Sequence, residues 1–288
     1  MPVRDLPTLK ELLGEAHSAH YAVGAFNIFD YLSAKAAIDA ANAVTTPILL
    51  QTSVGTVKQF GPQALFEMLA LVRKNAGVPV LVHLDHCTDP ALAKTCVDTG
   101  WDSVMVDISA KPLAENIAIT KEVKKYALNR GTCVEGELGI IKGVEEDLSY
   151  DSDQLAGYED SIRFIEETGI DAFAPAIGTA HGLYKSEVKL NFDLVKKLAD
   201  TTDTPIVVHG GTGLSDGQFT RLIRCGASKI NVSTALKYAY IDGLRNYWET
   251  HHEDYNPVKL NNAAEESVRH IVKEHILRFK PDLMKEKT

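Results

Sequence analysis

The chain has 288 residues, enough for one large domain or two small ones. Its 45% hydrophobic and 24% charged residues exclude a long disordered chain, and 20 glycines without a triplet period exclude a collagen-like fibre. A net charge of −9 with dispersed basic residues leaves no basic stripe for nucleic acid, and no apolar run is long enough for a membrane-spanning helix.

From the N-terminus, MPVRDLPTLKELL is charged and has no apolar stretch of the kind that marks export. Eight short apolar runs rich in β-branched residues follow, at 22–28, 47–53, 78–86, 103–109, 132–139, 172–178, 205–211 and 228–234. Their starts lie 23 to 40 residues apart, room for one strand and a returning helix. Between them, 32–43, 64–75, 113–128, 161–168, 192–199 and 215–225 carry apolar residues at helical spacing. Near-continuous apolar strands such as PVLVHL imply a parallel sheet covered on both faces. The prediction is an α/β fold, a single (β/α)8 TIM barrel over about 22–237, with a C-terminal helical extension at 238–280 that could serve as an interaction arm. The whole chain, 1–288, is read as one domain. A doubly wound sheet is the alternative, but AVGAFNI runs into Phe29-Asp30-Tyr31 rather than a glycine-rich turn.

One interval breaks the rhythm. Residues 140–160, IIKGVEEDLSYDSDQLAGYED, are acidic and nearly without apolar periodicity, and they follow a strand end on the face where such barrels keep their active sites. This segment is expected to be an irregular lid. The four cysteines (Cys87, Cys96, Cys133, Cys225) are scattered and form no CxxC pair, which points to a reduced, cytoplasmic protein.

Of ten histidines, three stand at the ends of three different predicted strands: His86 in HLDHC, His181 in GTAHG and His209 in VVHGG. One such histidine would be an ordinary polar group at a sheet rim. Three on one barrel face suit Zn²⁺ with an open fourth position. His83 shares a strand face with Asp85 and is expected to support the site, while His17, His20, His251, His252, His270 and His275 sit in helical or charged contexts and are expected to be solvated. Asp85, Asp107, Glu135 and Glu137 also collect at strand ends, and four buried carboxylates imply a positive centre. Glu135 and Asp107 can equally be supports that orient imidazoles. Asp85, next to His86, is expected to face the cavity mouth.

A phosphate signal comes last. HGGTGLS closes the seventh run and NVST the eighth, each opening a helix. Loops after strands seven and eight of such barrels hold phosphates on backbone N–H groups and a helix N-terminus, and Lys185 could add a cation.

Taken together, HLDH at 83–86, VEGELG at 134–139 with GVEED at 143–147, GTAHGLYK at 178–185, HGGTGLS at 209–215 and KINVST at 229–234 resemble the class II, zinc-dependent fructose- and tagatose-bisphosphate aldolases. The FN pair at 26–27 joins the pattern, which runs in collinear order over residues 24–234. The resemblance implies zinc on His86, His181 and His209, Asp85 as the catalytic acid and base, and Glu146 as a proton-transferring residue on a mobile loop. It implies substrate contacts at Asn27, Ser53, Gly182, Gly210, Gly211, Thr212, Asn231, Val232, Ser233 and Thr234, with Asp107 and Glu137 around an alternative metal position. The implied reaction is reversible cleavage of a ketose 1,6-bisphosphate to dihydroxyacetone phosphate and an aldehyde such as glyceraldehyde 3-phosphate. A homodimer or homotetramer and activation by a monovalent cation, Na⁺ or K⁺, are implied as well.

Three departures from the family pattern bear on function. Gly143-Val144 replaces a Gly-Gly pair before the acidic loop, which suggests a stiffer hinge. DISAKPLAEN at 107–116 lacks a histidine that many relatives have and adds Lys111. Asn256-Pro257-Val258 stands where relatives commonly carry Asp-Pro-Arg, so a distal phosphate loses a candidate cation. An aldolase for a ketose 1-phosphate lacking the distal group is therefore an alternative. A zinc barrel hydrolase is another, though its usual HxH on the first strand is replaced by FNIFD; a non-catalytic relative would be expected to have lost Asp85 or a ligand.

Overall fold

A computed structural model describes residues 6–145, 148–150, 154–182 and 188–280. Helix α1 (Leu9–Ser18) opens the described chain, followed by β1 (Val23–Asn27), α2 (Tyr31–Ala43), β2 (Ile48–Thr52), α3 (Val54–Phe60) and α4 (Pro62–Arg73). Then come β3 (Val80–Cys87), α5 (Pro90–Thr99), β4 (Ser103–Val106), α6 (Leu113–Leu128), β5 (Cys133–Leu138), β6 (Lys142–Glu145) and β7 (Leu148–Tyr150). The remainder is α7 (Tyr158–Thr168), β8 (Ala172–Pro175), β9 (Ala180–His181), α8 (Phe192–Thr201), β10 (Ile206–Val208), α9 (Asp216–Arg224), β11 (Ala227–Val232), α10 (Thr234–Thr250) and α11 (Pro257–Arg278).

Eight strands close into a parallel barrel in the order β1-β11-β10-β8-β5-β4-β3-β2. These are the eight predicted runs, seven of them trimmed by one to three residues at the tip and β3 running one residue further, to Cys87. Alternation along each strand separates two cores. Phe26, Leu50, Val82, Val104, Val134, Phe173, Val208 and Ile230 face outward under the helices. The inward set at the strand starts, Val23, Leu49, Leu81, Cys133, Ala172 and Val207, packs on Leu9, Leu12, Leu13 and Ala16 of α1. Helix α1 thus plugs the N-terminal end of the barrel, each leucine contributing about 1.5–3 kcal/mol by burial. Its start is fixed by a capping box between Thr8 and Glu11.

The predicted C-terminal helical extension consists of α10 and α11. Helix α11 buries Ala264, Val268, Val272 and Ile276, and the Phe279 carbonyl accepts from Ala22 N–H at 3.0 Å, tying the extension back to the start of β1. Among the described residues no helix is long and apolar enough to cross a membrane.

Several expectations need correction. The acidic interval is not wholly irregular: β6 and β7 pair antiparallel, and β6 also pairs parallel with β9, so Gly143 lies opposite His181. His181 therefore stands on this small outer sheet and not at the tip of a barrel strand. Helices α1, α3 and α5 were not predicted. His275 is buried, not solvated, packed against Phe219 and Phe279 with its Nδ1 2.8 Å from the Ile271 carbonyl.

Candidate active site

Strand β3 carries the centre of the site. Regular alternation would point Asp85 into the barrel and His86 out of it. The register of β3 against β4 shifts between Leu84 and Cys87, and His86 adopts φ +44°, a left-handed conformation unusual for a non-glycine. This bulge turns both side chains to the mouth. Asp85 accepts Nδ2–H from Asn27 at 2.9 Å and from Asn231 at 3.2 Å, one on each carboxylate oxygen. Gln51 donates in turn to Asn27 Oδ1 at 2.7 Å, which fixes the orientation of that amide.

His86 Nδ1 lies 2.8 Å from Asp107, whose other oxygen accepts from the Ser109 hydroxyl at 2.6 Å. Burial works against the Asp107 anion, but the bonds to His86 and Ser109 bring its pKa down to about 2. His209, directly after β10, places Nε2 2.9 Å from Glu135 Oε1, and Lys229 donates to Glu135 Oε2 at 2.9 Å. Burial alone would raise the Glu135 pKa; Lys229 and the histidines hold it well below the carboxylate range. Glu137 goes the other way, raised by burial and by the nearby Asp107 charge. Burial opposes a proton on His209, yet Glu135 and Glu137 push its pKa up to about 9.

Among the described residues two sets of three donors come within 4.8 Å of one another: Asp85, His86 and His209, and His86, Asp107 and Glu137. The rings of His86 and His209 are 4.6 Å apart between centroids, and that of His181 lies 5.0 Å from His86 and 6.5 Å from His209. The three histidines do converge, with His181 the loosest because it rides on β9. His209 Nδ1 and Glu137 Oε2 are buried 3.0 Å apart, and neither makes a hydrogen bond. Buried imidazole nitrogens and carboxylate oxygens with lone pairs left over are the donor chemistry of a divalent cation, so the residues fit one. A cation at His209 would take the place of the proton that the ion-free site favours.

A cavity adjoins these donors, lined by His181, Gly182, Gly210, Gly211, Thr212, Asn231, Ser233 and Thr234. It opens on the N-terminus of α10, whose N-cap Ser233 makes no side-chain capping bond; Ala235 N–H donates to Thr212 Oγ1 at 3.3 Å, and the positive end of the helix dipole faces the cavity. Gly210 has φ +69°, and a Cβ there would come 2.5 Å from the Ala180 carbonyl oxygen. Gly143 has φ +116°, and a Cβ there would collide with the His181 carbonyl oxygen. Strand β9 is thus gripped from two sides by positions where only glycine fits. Ser53, at the end of β2, caps α3 by accepting from Thr56 N–H at 3.2 Å. Val232 has its side chain fully buried in the outward core, and it is not among the residues that line the cavity. Glu146 and Lys185 lie outside the described residues.

Lys229 and Gln51 are not among the site residues expected from the sequence. Lys229 could have been found, because a lysine two residues before Asn231 in the apolar run SKINV must share the inward face. The positive centre that four carboxylates called for is in part this ammonium. Gln51 carries no comparable signal.

The model of the family described as "Fructose-bisphosphate aldolase class-II" matches residues 7–282. A fructose-bisphosphate aldolase of Geobacillus stearothermophilus is 37% identical over 267 residues, covering 92% of this chain and 93% of the relative. A 6-phospho-5-dehydro-2-deoxy-D-gluconate aldolase of Bacillus licheniformis is 36% identical over 274 residues, covering 93% and 94%. Among solved structures, the YdjI aldolase of Escherichia coli K12 superposes with a TM-score of 0.83 at 30% identity, over 94% of this chain and 96% of that one. A match over nearly the whole chain, on a barrel whose mouth gathers these donors, places it among the carbon–carbon lyases: the chain belongs to the class II fructose-bisphosphate aldolase family.

Proposed function

We propose that the chain is a zinc-dependent ketose-bisphosphate aldolase that reversibly cleaves a ketose 1,6-bisphosphate of the fructose or tagatose type to dihydroxyacetone phosphate and an aldehyde. The observation that carries this reading is Asp85 clamped by two amides beside the His86 and His209 donors, with an anion-binding cavity next to them. Zinc held by His86, His181 and His209 would act as a Lewis acid toward the substrate oxygens. Asp107 and Glu137, with His86, are the donors for a second metal position.

The chain's own residues do the rest. The glycine-rich turn at Gly210 and Gly211, the hydroxyls of Thr212, Ser233 and Thr234 and the α10 terminus bind the C1 phosphate and anchor the three-carbon end. Asp85 takes the proton from the C4 hydroxyl as the C3–C4 bond breaks, so that C4 becomes the aldehyde carbonyl and the bonding pair passes to C3. Glu146 returns a proton to that carbon; in the condensation direction each transfer reverses. Asn27 and Asn231, each spending an amide proton on Asp85, keep its carboxylate aimed at the mouth.

The Bacillus licheniformis relative, named for a deoxygluconate phosphate, supports a second reading in which the distal part of the substrate differs. Val258, 65% exposed in the first turn of α11, supports it too, since it offers no charge to a distal phosphate. Assembly as a homodimer or homotetramer is supported by Tyr238, Ile241, Trp248, Tyr255 and Val258, all exposed on α10, α11 and their connection. Work in a reducing cytoplasm is supported by four cysteines that form no disulfide. The test is release of dihydroxyacetone phosphate from candidate ketose phosphates, with and without EDTA. Chelator-sensitive release is expected; release that survives exhaustive chelation would refute the metal-dependent reading.

A further inference from the structure

We propose that Lys229 is a positioning residue for His209, acting through Glu135; the proposal rests on the reading of His209 as a metal ligand. Lys229 sits mid-strand in β11, in register with Val23 of β1 and Val207 of β10, and is fully buried inside the barrel. An ammonium is costly to bury, and an apolar side chain would fill the same space at less cost. What Lys229 does there is hold a single carboxylate. One Glu135 oxygen accepts from Lys229 Nζ and the other from His209 Nε2, both at 2.9 Å. With both oxygens assigned, the carboxylate plane is fixed, and with it the rotation of the imidazole. Nε2 donates to Glu135, so in the metal-bound form the lone pair is on Nδ1, the nitrogen beside Glu137 and the mouth. His83 completes the layer, with Nδ1 2.7 Å from the Ser103 hydroxyl and Nε2 3.8 Å from Glu135. The same strand face carries Asn231, which holds Asp85. One strand thus orients both a ligand and the general base, without Lys229 lining the cavity.

The competing role is simple charge balance for Glu135, which would lower stability and leave the metal site unchanged. Zinc affinity, measured by chelator competition on folded protein, separates the two, together with the visible spectrum of the cobalt-substituted protein. Lys229→Met is expected to lose roughly 10–100-fold in zinc affinity and to shift the cobalt bands. Glu135→Gln is expected to do the same, and the double variant to lose no more than the worse single one, because the two act in series. Zinc affinity of Lys229→Met within about two-fold of the parent, or losses that add in the double variant, would overturn the proposal. If Lys229→Met does not fold, Glu135→Gln decides, and unchanged zinc affinity there overturns it equally. His209→Ala is the control. Zinc lost in His209→Ala but kept in Lys229→Met removes the Lys229 role alone; zinc kept in His209→Ala removes the site reading along with it.

Discussion

Asp85 is approached by two amide donors from the adjacent strands β1 and β11, and each of its oxygens is taken. Such a carboxylate is oriented for proton transfer more than for ligation, although it lies within the donor set around His86 and His209. Asp85→Ala should therefore keep bound metal and lose about 10²–10⁴-fold in turnover, the range for a positioned acid or base. Metal analysis and kcat on the same preparation check it, and near-normal turnover would reduce Asp85 to a support. At this scale the sequence shows residue types and strand ends: Asp85, His86 and His209 stand where the apolar runs stop. It does not show the bulge that brings Asp85 and His86 to one side, because the left-handed backbone at His86 has no glycine to announce it. The roles of Lys229 and Gln51 depend on partners contributed by other strands, which a single strand's pattern cannot name.

Among elements, β9 couples three parts of the site. It pairs with β6 through Gly143↔His181, meets Gly210 on the cavity side, and carries His181 itself. Gly143→Ala should thus weaken metal binding from outside the donor set, since the added methyl collides with the His181 backbone. We expect a loss of about tenfold in zinc affinity, the lower end for changes one layer away from a ligand; isothermal titration against the parent protein measures it. Helix α11 gives a pH effect through His275. Burial lowers its pKa in the folded state, ahead of the opposing Ile271 bond and the charges of Arg278, Glu274 and Asp216. The unfolded chain binds the proton first as pH falls below about 6.5, so stability is full above that pH and declines below it. His275→Leu should flatten this decline by about 1 kcal/mol between pH 7.5 and 5.5, bounded by about 1.4 kcal/mol per pH unit for one proton. Urea midpoints at the two pH values decide it, and an unchanged slope would sink the assignment. The long helices were legible from their periodicity; Leu113–Leu128 coincides with its predicted span. Helix α5 was missed because PALAKTCVDT buries only Ala93, Cys96 and Val97, too few for a clear stripe. Helix α1 does carry a stripe, at Leu9, Leu12, Leu13 and Ala16, but its meaning as a plug appears only once the barrel is closed.

For the molecule as a whole, strand number, strand order and the face that carries chemistry were readable, because eight spaced apolar runs admit few closed topologies. The far end of the substrate pocket was not. Val258 is exposed, and two candidate cations are already engaged, its chain neighbour Lys259 with Asp254 at 2.7 Å and Lys111 with Glu115 at 3.4 Å. We expect the kcat/KM of a ketose 1,6-bisphosphate to exceed that of its 1-phosphate by less than about 10³-fold, roughly 4 kcal/mol. A ratio above about 10⁴ would mean that one of these lysines, or a group from a second copy, holds the distal phosphate. The plug formed by α1 has a further consequence. With the lower end stoppered by leucines among the described residues, the mouth is the way in for ion, sugar and scavenger alike. A bound sugar phosphate should then act as a cork: saturating dihydroxyacetone phosphate should slow EDTA inactivation in proportion to its occupancy, and a stripping rate indifferent to substrate would reveal a second way in.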